Sequence, residues 1–196
     1  MLHKNINRLL AIAVGLMGFY ILASPYLPAF DYWLSKGKYP TPAYVEAATG
    51  TSNSDTDATS GGSSAAIPTE NRLAIPKIGV NAEIFEGPTT ATLNKGLWHR
   101  PLTPTPLENG NTVIVGHRFT YNPSTQTPFY NLDKLTIGDP IVIAWDQSLI
   151  SYTVTEIKTV RPEQIEIEAN TKEKQLTLYT CTPLWTNKYR LVIIAK

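Results

Sequence analysis

The chain has 196 residues, of which 42% are hydrophobic and 17% charged, and its formal net charge at pH 7 is +1. This composition excludes disorder of the whole chain, which requires low hydrophobicity and high net charge. The near-neutral charge also argues against a dedicated nucleic-acid surface, which would be strongly basic. Cys181 is the only cysteine, so the chain forms no internal disulfide and no cysteine-rich zinc site.

An apolar segment near the N-terminus is long enough to cross a membrane. As a helix, residues 9–30 would span about 33 Å, compared with ~30 Å for the hydrocarbon core of a bilayer. Lys4 and Arg8 precede the segment, which favours a cytoplasmic N-terminus. The alternative is a cleaved signal peptide, because residues 9–23 have the length of a signal-peptide core.

A polar stretch separates this segment from the rest of the chain. Residues 49–64 contain no large apolar side chain, so they cannot bury enough surface to offset the entropy of ordering. The sequence therefore predicts a cytoplasmic N-terminus over residues 1–8, a transmembrane anchor and juxtamembrane segment over 9–34, a flexible extracellular linker over 35–70 and a folded domain over 71–196.

The folded domain is rich in short apolar segments that are separated by turns. In one of them Leu176 and Leu178 alternate with Thr177 and Tyr179, which predicts a half-buried strand with Thr177 and Tyr179 outward. About eight short strands with few helices favour a mainly β fold, a closed or nearly closed β-barrel. Strands are predicted over residues 72–76, 82–86, 111–117, 140–145, 150–160, 175–181 and 189–195, and short helical turns over 90–95 and 128–135.

The thiol of Cys181 lies where strands commonly present reactive groups. It ends a predicted strand and precedes a loop that leads to Arg190, at the start of the next strand. A guanidinium in that position can hold a carbonyl oxygen or a developing oxyanion. The alternative is an inert buried cysteine that packs as a small hydrophobe.

Two histidines are candidates for proton transfer beside this thiol. His117 ends the apolar segment of residues 113–117, whereas His99 lies in the Gly-Leu-Trp-His-Arg-Pro segment of residues 96–101. A cysteine, a histidine and an arginine at strand ends can supply a nucleophile, a proton donor and an oxyanion stabiliser. Spacing alone leaves both histidines open. Arg118, which follows His117, is expected to be a solvated surface charge.

Five segments, in order, resemble the sortase family, and the resemblance extends over residues 72–196. The most specific is Thr-Leu-Tyr-Thr-Cys at residues 177–181, followed by Arg190 and Leu191, which is similar to the sortase active-site signature. Further segments resemble the opening strand, the middle region and the histidine strand of the family, at residues 73–79, 96–101, 116–118 and 128–139.

The resemblance implies an eight-stranded closed sortase-type barrel with one or two short helices, preceded by a single transmembrane helix. It implies a cysteine transpeptidase that cleaves a Leu-Pro/Ala-x-Thr-Gly-type sorting signal between Thr and Gly. Cys181 would form a thioacyl intermediate, His117 would act as acid and base, and Arg190 would position the substrate. A second set of residues would bind substrate or support the oxyanion: Thr180, Trp185 and His99.

The resemblance also implies partners and a location. The partners are surface proteins with a C-terminal sorting signal and an amine acceptor, and the location is the cell membrane with the catalytic domain outside. The acceptor is a peptidoglycan precursor in housekeeping members and a pilin lysine in pilus-building members. No cofactor is expected, and no calcium site, because residues 102–110 offer only Glu108 whereas calcium takes about six to eight oxygen ligands.

The class of enzyme is less firmly determined by the sequence. The segment Asp31-Tyr32-Trp33 lacks the proline of a pilus-type lid, which favours a class E- or D-like housekeeping enzyme over a pilin-polymerising class C sortase. Two further functions are compatible with the same residues. One is a plain cysteine endopeptidase that uses water as acceptor, and the second, from a different class, is a tethered non-catalytic β-barrel binding module.

Overall fold

The structure, a computed structural model, describes residues 2–35, 38–50, 66–120 and 125–196. The chain divides into two compact units, Met1–Lys36 and Gly37–Lys196. This division places the start of the second unit well before residue 71, where the sequence predicts the folded domain to begin.

The N-terminal unit is helical. Helix α1 spans Leu2–Ala23, a 3₁₀ turn at Ser24–Tyr26 contains Pro25, and helix α2 spans Leu27–Ser35. Proline lacks the amide N–H that a continuing α-helix would use, which explains the break between the two helices. The segment Asn5–Ala23 has a mean hydropathy of 1.8 and, by length and composition, could cross a membrane.

The second unit is built on a closed eight-stranded barrel, as the sequence predicts. Around the barrel the strands follow the order β1-β2-β3-β4-β7-β8-β6-β5. The pairs β2–β3 and β4–β7 are parallel and all other neighbours are antiparallel. The strands are β1 Arg72–Ile75, β2 Val80–Glu86, β3 Leu97–His99, β4 Asn111–Val115, β5 Pro140–Trp145, β6 Ser148–Val160, β7 Gln175–Thr182 and β8 Tyr189–Ala195.

Aliphatic side chains fill the core. Alternation along each strand sends every second residue inward, which predicts Leu176 and Leu178 correctly as core residues. The largest fully buried side chains include Phe129, Leu73, Ile75, Leu97, Ile114, Leu132, Ile141, Ile143, Leu176, Leu178 and Ile193.

A third helix, α3 at Ala43–Thr49, lies inside the segment that the sequence predicts to be a linker. Its residues Tyr44 and Val45 are buried against Ala74 of β1 and Val142 of β5. A seven-residue helix would be unstable in isolation. Packing of its apolar side chains against the barrel stabilises it. The most polar part of the expected linker, residues 51–65, lies outside the described residues.

Three smaller differences have local causes. Strand β3 has only three residues, which is too short to show a periodic pattern in the sequence. The helix expected over residues 128–135 is reduced to a 3₁₀ turn at Leu132–Lys134. Thr177, expected to face outward into solvent, is fully buried because Asn111 covers it and accepts its hydroxyl hydrogen bond at 2.7 Å.

Candidate active site

The ends of three adjacent strands bring His117, Cys181 and Arg190 together. In the parallel pair β4–β7, Val115 lies opposite Tyr179, so the residues two positions further on are His117 and Cys181. In the antiparallel pair β7–β8, Cys181 lies directly opposite Arg190. Because strand side chains alternate, all three residues belong to the same outer face of the barrel.

An open cavity of about 680 Å³ lies over this face. Its floor is the outer surface of β3, β4 and β7, and its walls come from the β6–β7 connection and the β7–β8 loop. The cavity is lined by all three residues of the predicted catalytic set and by apolar and aromatic side chains that include Leu93, Trp98, Val115, Phe119, Ile165, Ile167, Tyr179 and Trp185.

The imidazole of His117 is partly removed from water. Burial disfavours the charged ring and lowers the pKa of His117 below its ordinary value of 6.5. Near pH 7 the ring is therefore mainly neutral. Cys181 is a free thiol of intermediate exposure on the neighbouring strand, so the two candidate proton-transfer groups line one cavity without being sealed from solvent.

The guanidinium of Arg190 is oriented by its own loop. Its Nη1 donates to the backbone oxygens of Asn187 at 3.2 Å and Tyr189 at 3.1 Å. These two bonds hold the side chain at the edge of the cavity, opposite Cys181. A planar donor group fixed in this way can present its other N–H groups to a carbonyl oxygen.

Two of the supporting residues predicted from sequence, Trp185 and Thr180, line the cavity, and Trp185 forms part of its wall. It lies in the β7–β8 loop with a left-handed φ of 72°, which is an uncommon conformation for a large residue. Its ring meets Phe119 edge to face, with 3.9 Å between ring centroids. The two rings form an aromatic wall beside Cys181.

Thr180 also lines the cavity, and its expected support of the oxyanion stays a prediction. Its side chain is buried, and its hydroxyl donates to the backbone oxygen of Gly116 at 2.7 Å. The hydroxyl therefore joins β7 to the segment just after β4 and is engaged inside the protein. Position 116 requires glycine for a separate reason, because a Cβ there would lie only 2.7 Å from the Phe129 ring and 2.8 Å from Leu97.

The second histidine, His99, is not among the described residues that line the cavity. It is 5% exposed, and its ring packs edge to face on Trp145. Nδ1 lies 3.2 Å from a carboxylate oxygen of Glu86, and Nε2 lies 3.2 Å from the backbone oxygen of Pro104. The expected contribution of His99 to substrate binding therefore finds no support in its position, which is that of a residue anchoring the β3–β4 loop.

Arg118 is buried, contrary to the expectation of a solvated charge. It is 8% exposed and forms an ion pair with Asp133 at 3.0 Å. Burial of a guanidinium is tolerated because it is paired and hydrogen-bonded. In the sequence Arg118 is simply a charged residue after a strand. Nothing in that pattern indicates its partner Asp133, which lies 15 positions further along the chain.

A polar cluster in the cavity wall is also absent from the sequence prediction. Glu168 accepts two hydrogen bonds from Arg100 Nε and a third from Arg100 Nη2, and it accepts the Tyr179 hydroxyl at 2.6 Å. The Arg100 guanidinium lies 4.6 Å from the centre of the Trp98 ring. Burial, and next the hydrogen bond to Glu168, raise the pKa of Tyr179 above its ordinary value. The acidic residues near 163–168 are the only sequence signal for this cluster.

These contacts occupy the carboxylate of Glu168. Among the described residues, no group of three or more His, Cys, Asp or Glu side chains is arranged to hold a metal ion. The cavity wall is therefore held in place by an ion pair between the β3–β4 loop, which carries Arg100, and the β6–β7 connection, which carries Glu168.

Comparison with known proteins gives the same family for sequence and structure. Residues 73–196 match the Sortase domain family. Sortase A of Listeria monocytogenes is 28% identical over 155 residues, which are 79% of this chain and 64% of that protein. Sortase D of Bacillus subtilis is 32% identical over 112 residues, which are 57% of this chain and 53% of that protein. The matches therefore cover only part of the length of these relatives.

Solved structures that are similar to this chain are also sortases. Sortase A from Corynebacterium diphtheriae, in a lid mutant, has a TM-score of 0.58 at 35% identity and covers 65% of this chain and 69% of its own. The pilus-related Sortase C of Group B Streptococcus has a TM-score of 0.59 at 32% identity, with coverages of 65% and 66%. These similar values do not separate the sortase classes. With a matching domain over more than half of its length and the same barrel, the chain belongs to the sortase family.

Proposed function

We propose that this chain is a cysteine transpeptidase that cleaves a Leu-Pro/Ala-x-Thr-Gly-type sorting signal between Thr and Gly. The observation that carries the proposal is the register of three strand ends, which faces Cys181, His117 and Arg190 into one cavity. Family membership supports it, because sortases are cysteine transpeptidases.

The first chemical step forms a thioester. The Cys181 thiolate attacks the carbonyl carbon of the signal threonine, and negative charge develops on the carbonyl oxygen. Arg190, opposite Cys181 in the β7–β8 pair, donates hydrogen bonds to this oxygen and orients the substrate. The C–N bond to glycine then breaks, and protonated His117 gives its proton to the departing amine.

The second step transfers the acyl group. An acceptor amine enters, neutral His117 takes a proton from it, and the nitrogen attacks the thioester carbonyl. Collapse of the tetrahedral intermediate forms the new amide and returns the Cys181 thiolate. The housekeeping interpretation assigns the acceptor amine to a cell-wall precursor, and the pilus interpretation assigns it to a pilin lysine.

The ionisation state limits the rate. Catalysis needs a thiolate beside an imidazolium, but burial lowers the pKa of His117 and so disfavours the imidazolium. The lowered pKa of His117 therefore reduces the fraction of molecules that hold the reactive pair. Slow turnover is the expected consequence.

Helix α3 lies away from the floor of the proposed catalytic cavity. The helix packs on β1 and β5, and Ser151 of β6 donates to the backbone oxygen of Ala48. In the barrel order these strands lie across from β4 and β7, which form the cavity floor. The helix therefore does not cover Cys181 as a lid would.

The proposed location is the cell membrane, with a single pass, a cytoplasmic N-terminus and the catalytic unit outside. The apolar helix segment Asn5–Ala23 supports this arrangement, and Lys4 and Arg8 supply the positive flank. A membrane-bound enzyme of this orientation would meet surface proteins as they emerge from the cell.

The direct test is peptide cleavage by the full chain in detergent, with Leu-Pro-x-Thr-Gly and Leu-Ala-x-Thr-Gly peptides. Cys181→Ala should abolish cleavage, while Thr155→Val, a change on β6 remote from the cavity, should retain it. Product analysis with added glycine-type or lysine amines separates transfer to either acceptor from hydrolysis. Cleavage by Cys181→Ala within a few-fold of the unmodified chain would refute Cys181 as the nucleophile, and no cleavage by the unmodified chain would favour a non-catalytic barrel.

A further inference from the structure

Arg118 makes a directed contact with each of its three guanidinium nitrogens. Nη2 pairs with Asp133 at 3.0 Å, Nε donates to the backbone oxygen of Tyr130 at 3.3 Å, and Nη1 donates to the hydroxyl of Thr182 at 2.8 Å. The first two partners lie between β4 and β5, and the third belongs to β7. A buried arginine thus connects three separate parts of the chain.

The contact between Arg118 and Thr182 joins the two residues that directly follow the candidate catalytic groups. Arg118 directly follows His117, and Thr182 directly follows Cys181. On the other side, Thr180 precedes Cys181 and donates to the backbone oxygen of Gly116, which precedes His117, at 2.7 Å. The residues before and after the two candidate catalytic groups are therefore bonded to each other across the gap between the strands.

These side-chain bonds lie where the backbone pairing of β4 and β7 ends. The last Cα pair in register is Val115 with Tyr179, and beyond it Gly116 N–H reaches the Tyr179 oxygen at a long 3.4 Å. His117 and Cys181 come after this point. The backbone oxygen of His117 accepts a hydrogen bond from the Phe129 N–H at 3.2 Å, and the bonds of the neighbouring residues link this segment to β7.

We propose that Arg118 is a positioning residue that holds the His117 segment at a fixed distance from Cys181 through its bond to Thr182. Asp133 and the Tyr130 carbonyl fix the guanidinium from behind, so that Nη1 meets the Thr182 hydroxyl in one geometry. The inference deepens the proposed function, because its kinetic readout rests on transfer between these two groups. Among the described residues Arg118 lines the cavity and Thr182 does not, so changes at Thr182 test the positioning apart from any substrate contact of Arg118.

The sharpest test compares two changes at Thr182 in the full chain in detergent. Thr182→Val keeps the shape and removes the hydroxyl, whereas Thr182→Ser keeps the hydroxyl. A displacement of about 1 Å between reacting groups can cost on the order of 10²-fold in rate. We expect Thr182→Val to lower kcat for the Leu-Pro-x-Thr-Gly peptide about 10- to 100-fold with KM changed less than about twofold, and Thr182→Ser to stay within about threefold of the unmodified chain.

Two further variants separate positioning from stability. Thr155→Val removes a threonine hydroxyl that bonds the Ile194 oxygen at 3.2 Å, remote from the cavity, and should leave kcat unchanged. Arg118→Lys keeps the charge near Asp133 but presents a single ammonium instead of a fork. If Arg118 acts through Thr182, the double variant with Thr182→Val should be no slower than Arg118→Lys alone.

A second readout does not depend on transpeptidation. Cys181 is the sole cysteine, so the rate of alkylation by iodoacetamide reports on the thiolate fraction and the accessibility of this one thiol. At neutral pH we expect Thr182→Val to slow alkylation about threefold or more, with Thr182→Ser close to the unmodified chain. In denaturant all variants should react at the same rate.

The outcomes decide between the two proposals. An unmodified chain that cleaves no sorting peptide refutes the proposed function, while the alkylation rates still test the positioning by Arg118. Unchanged kcat and alkylation in Thr182→Val, equal losses in Thr182→Ser, or additive losses in the double variant would overturn the role of Arg118. A change confined to KM would overturn it as well.

Discussion

At the scale of single residues, the burial of His117 governs the pH behaviour of the site. The ring lines the cavity but has lost part of its contact with water, so its charged form is disfavoured and its pKa is lowered. Cys181 lies on the adjacent strand. Catalysis needs Cys181 as a thiolate and His117 as an imidazolium, so the one proton of the pair must be on His117. A lowered histidine pKa makes that arrangement rarer without removing it.

The pH dependence of kcat/KM follows from this shift. Below the lower of the two pair pKa values the pair takes up a second proton and the thiolate is lost. Because burial lowers the pKa of His117, the midpoint of the acid limb of the kcat/KM profile should lie below pH 6.5. The measurement is kcat/KM from about pH 5 to about pH 9 with a peptide that has no titrating side chain. An acid limb above pH 6.5 would contradict the burial argument, and His99→Gln should leave the limb in place.

Variants of the two histidines and of Arg190 should differ in rank. His117→Ala should be close to background, because the proton donor is lost, and Arg190→Lys should lose about 10² in kcat/KM, because the planar donor fork is lost. His99→Ala should lose about tenfold or less, since His99 is buried between Glu86 and the Pro104 carbonyl away from the cavity. Steady-state kinetics, with folding checked by circular dichroism, gives the ranking. An inactive His99→Ala beside an active His117→Ala would reverse the assignment.

At the scale of elements, strand pairing explains why residues far apart in sequence form one site. The parallel pair β4–β7 brings His117 beside Cys181, and the antiparallel pair β7–β8 brings Arg190 opposite. The β6–β7 connection then covers the outer face, where Asn111 donates to the backbone oxygens of Ile167 and Ala169. A polar side chain on a strand thus fixes the wall of the cavity.

Helix α3 should contribute measurably to the stability of the barrel. Val45 is fully buried against Ala74 and Val142, so Val45→Ala should lower the free energy of unfolding by about 1–3 kcal/mol through lost burial and a small cavity. Ala47→Ser on the exposed side of the same helix should change it by less than about 0.5 kcal/mol. Urea unfolding of the full chain in detergent measures both.

Unchanged urea unfolding of Val45→Ala would contradict a stabilising role of α3. If Val45→Ala unfolds at the same urea concentration as the unmodified chain, the helix adds nothing to the barrel and the folded unit begins near residue 71, as the sequence predicts. If the expected loss is seen, a shortened chain that begins at residue 71 should be less stable still, because it also lacks the hydrogen bond from the Tyr44 hydroxyl to Asn81 at 2.9 Å.

At the scale of the whole molecule, the chain combines an apolar helical unit with a barrel unit, Met1–Lys36 and Gly37–Lys196. Most side chains of the segment Asn5–Ala23 are exposed in the first unit and many are apolar. Water is a poor solvent for such a surface, so a lipid bilayer is the environment that this unit fits.

The membrane topology can be tested in intact cells. The chain should fractionate with membranes, and external protease should digest the second unit while an epitope at the N-terminus stays protected. Exchange of Lys4 and Arg8 for glutamate should lower the fraction with this orientation, because the positive flank sets it. Recovery from the medium of a form that lacks the residues before Ser24 would instead show a cleaved signal peptide.

Local pattern determined much of this protein. Short apolar runs between turn residues predict seven of the strands, and Pro140–Trp145 and Tyr189–Ala195 agree with the structure residue for residue. Five ordered short segments, of which Thr-Leu-Tyr-Thr-Cys is the most specific, carry the resemblance to the family. Periodicity and motif spacing depend on residues that are close in sequence, so they can be recognised without the structure.

The tertiary structure decided what depends on partners distant in sequence. It placed His117 in the cavity and His99 in the barrel beside Trp145, a choice that spacing left open. It buried Arg118 against Asp133 and packed α3 on the barrel. The burial of a charge or of a short apolar patch depends on which strands become neighbours, and closure of the barrel sets this through contacts between residues that no local pattern connects.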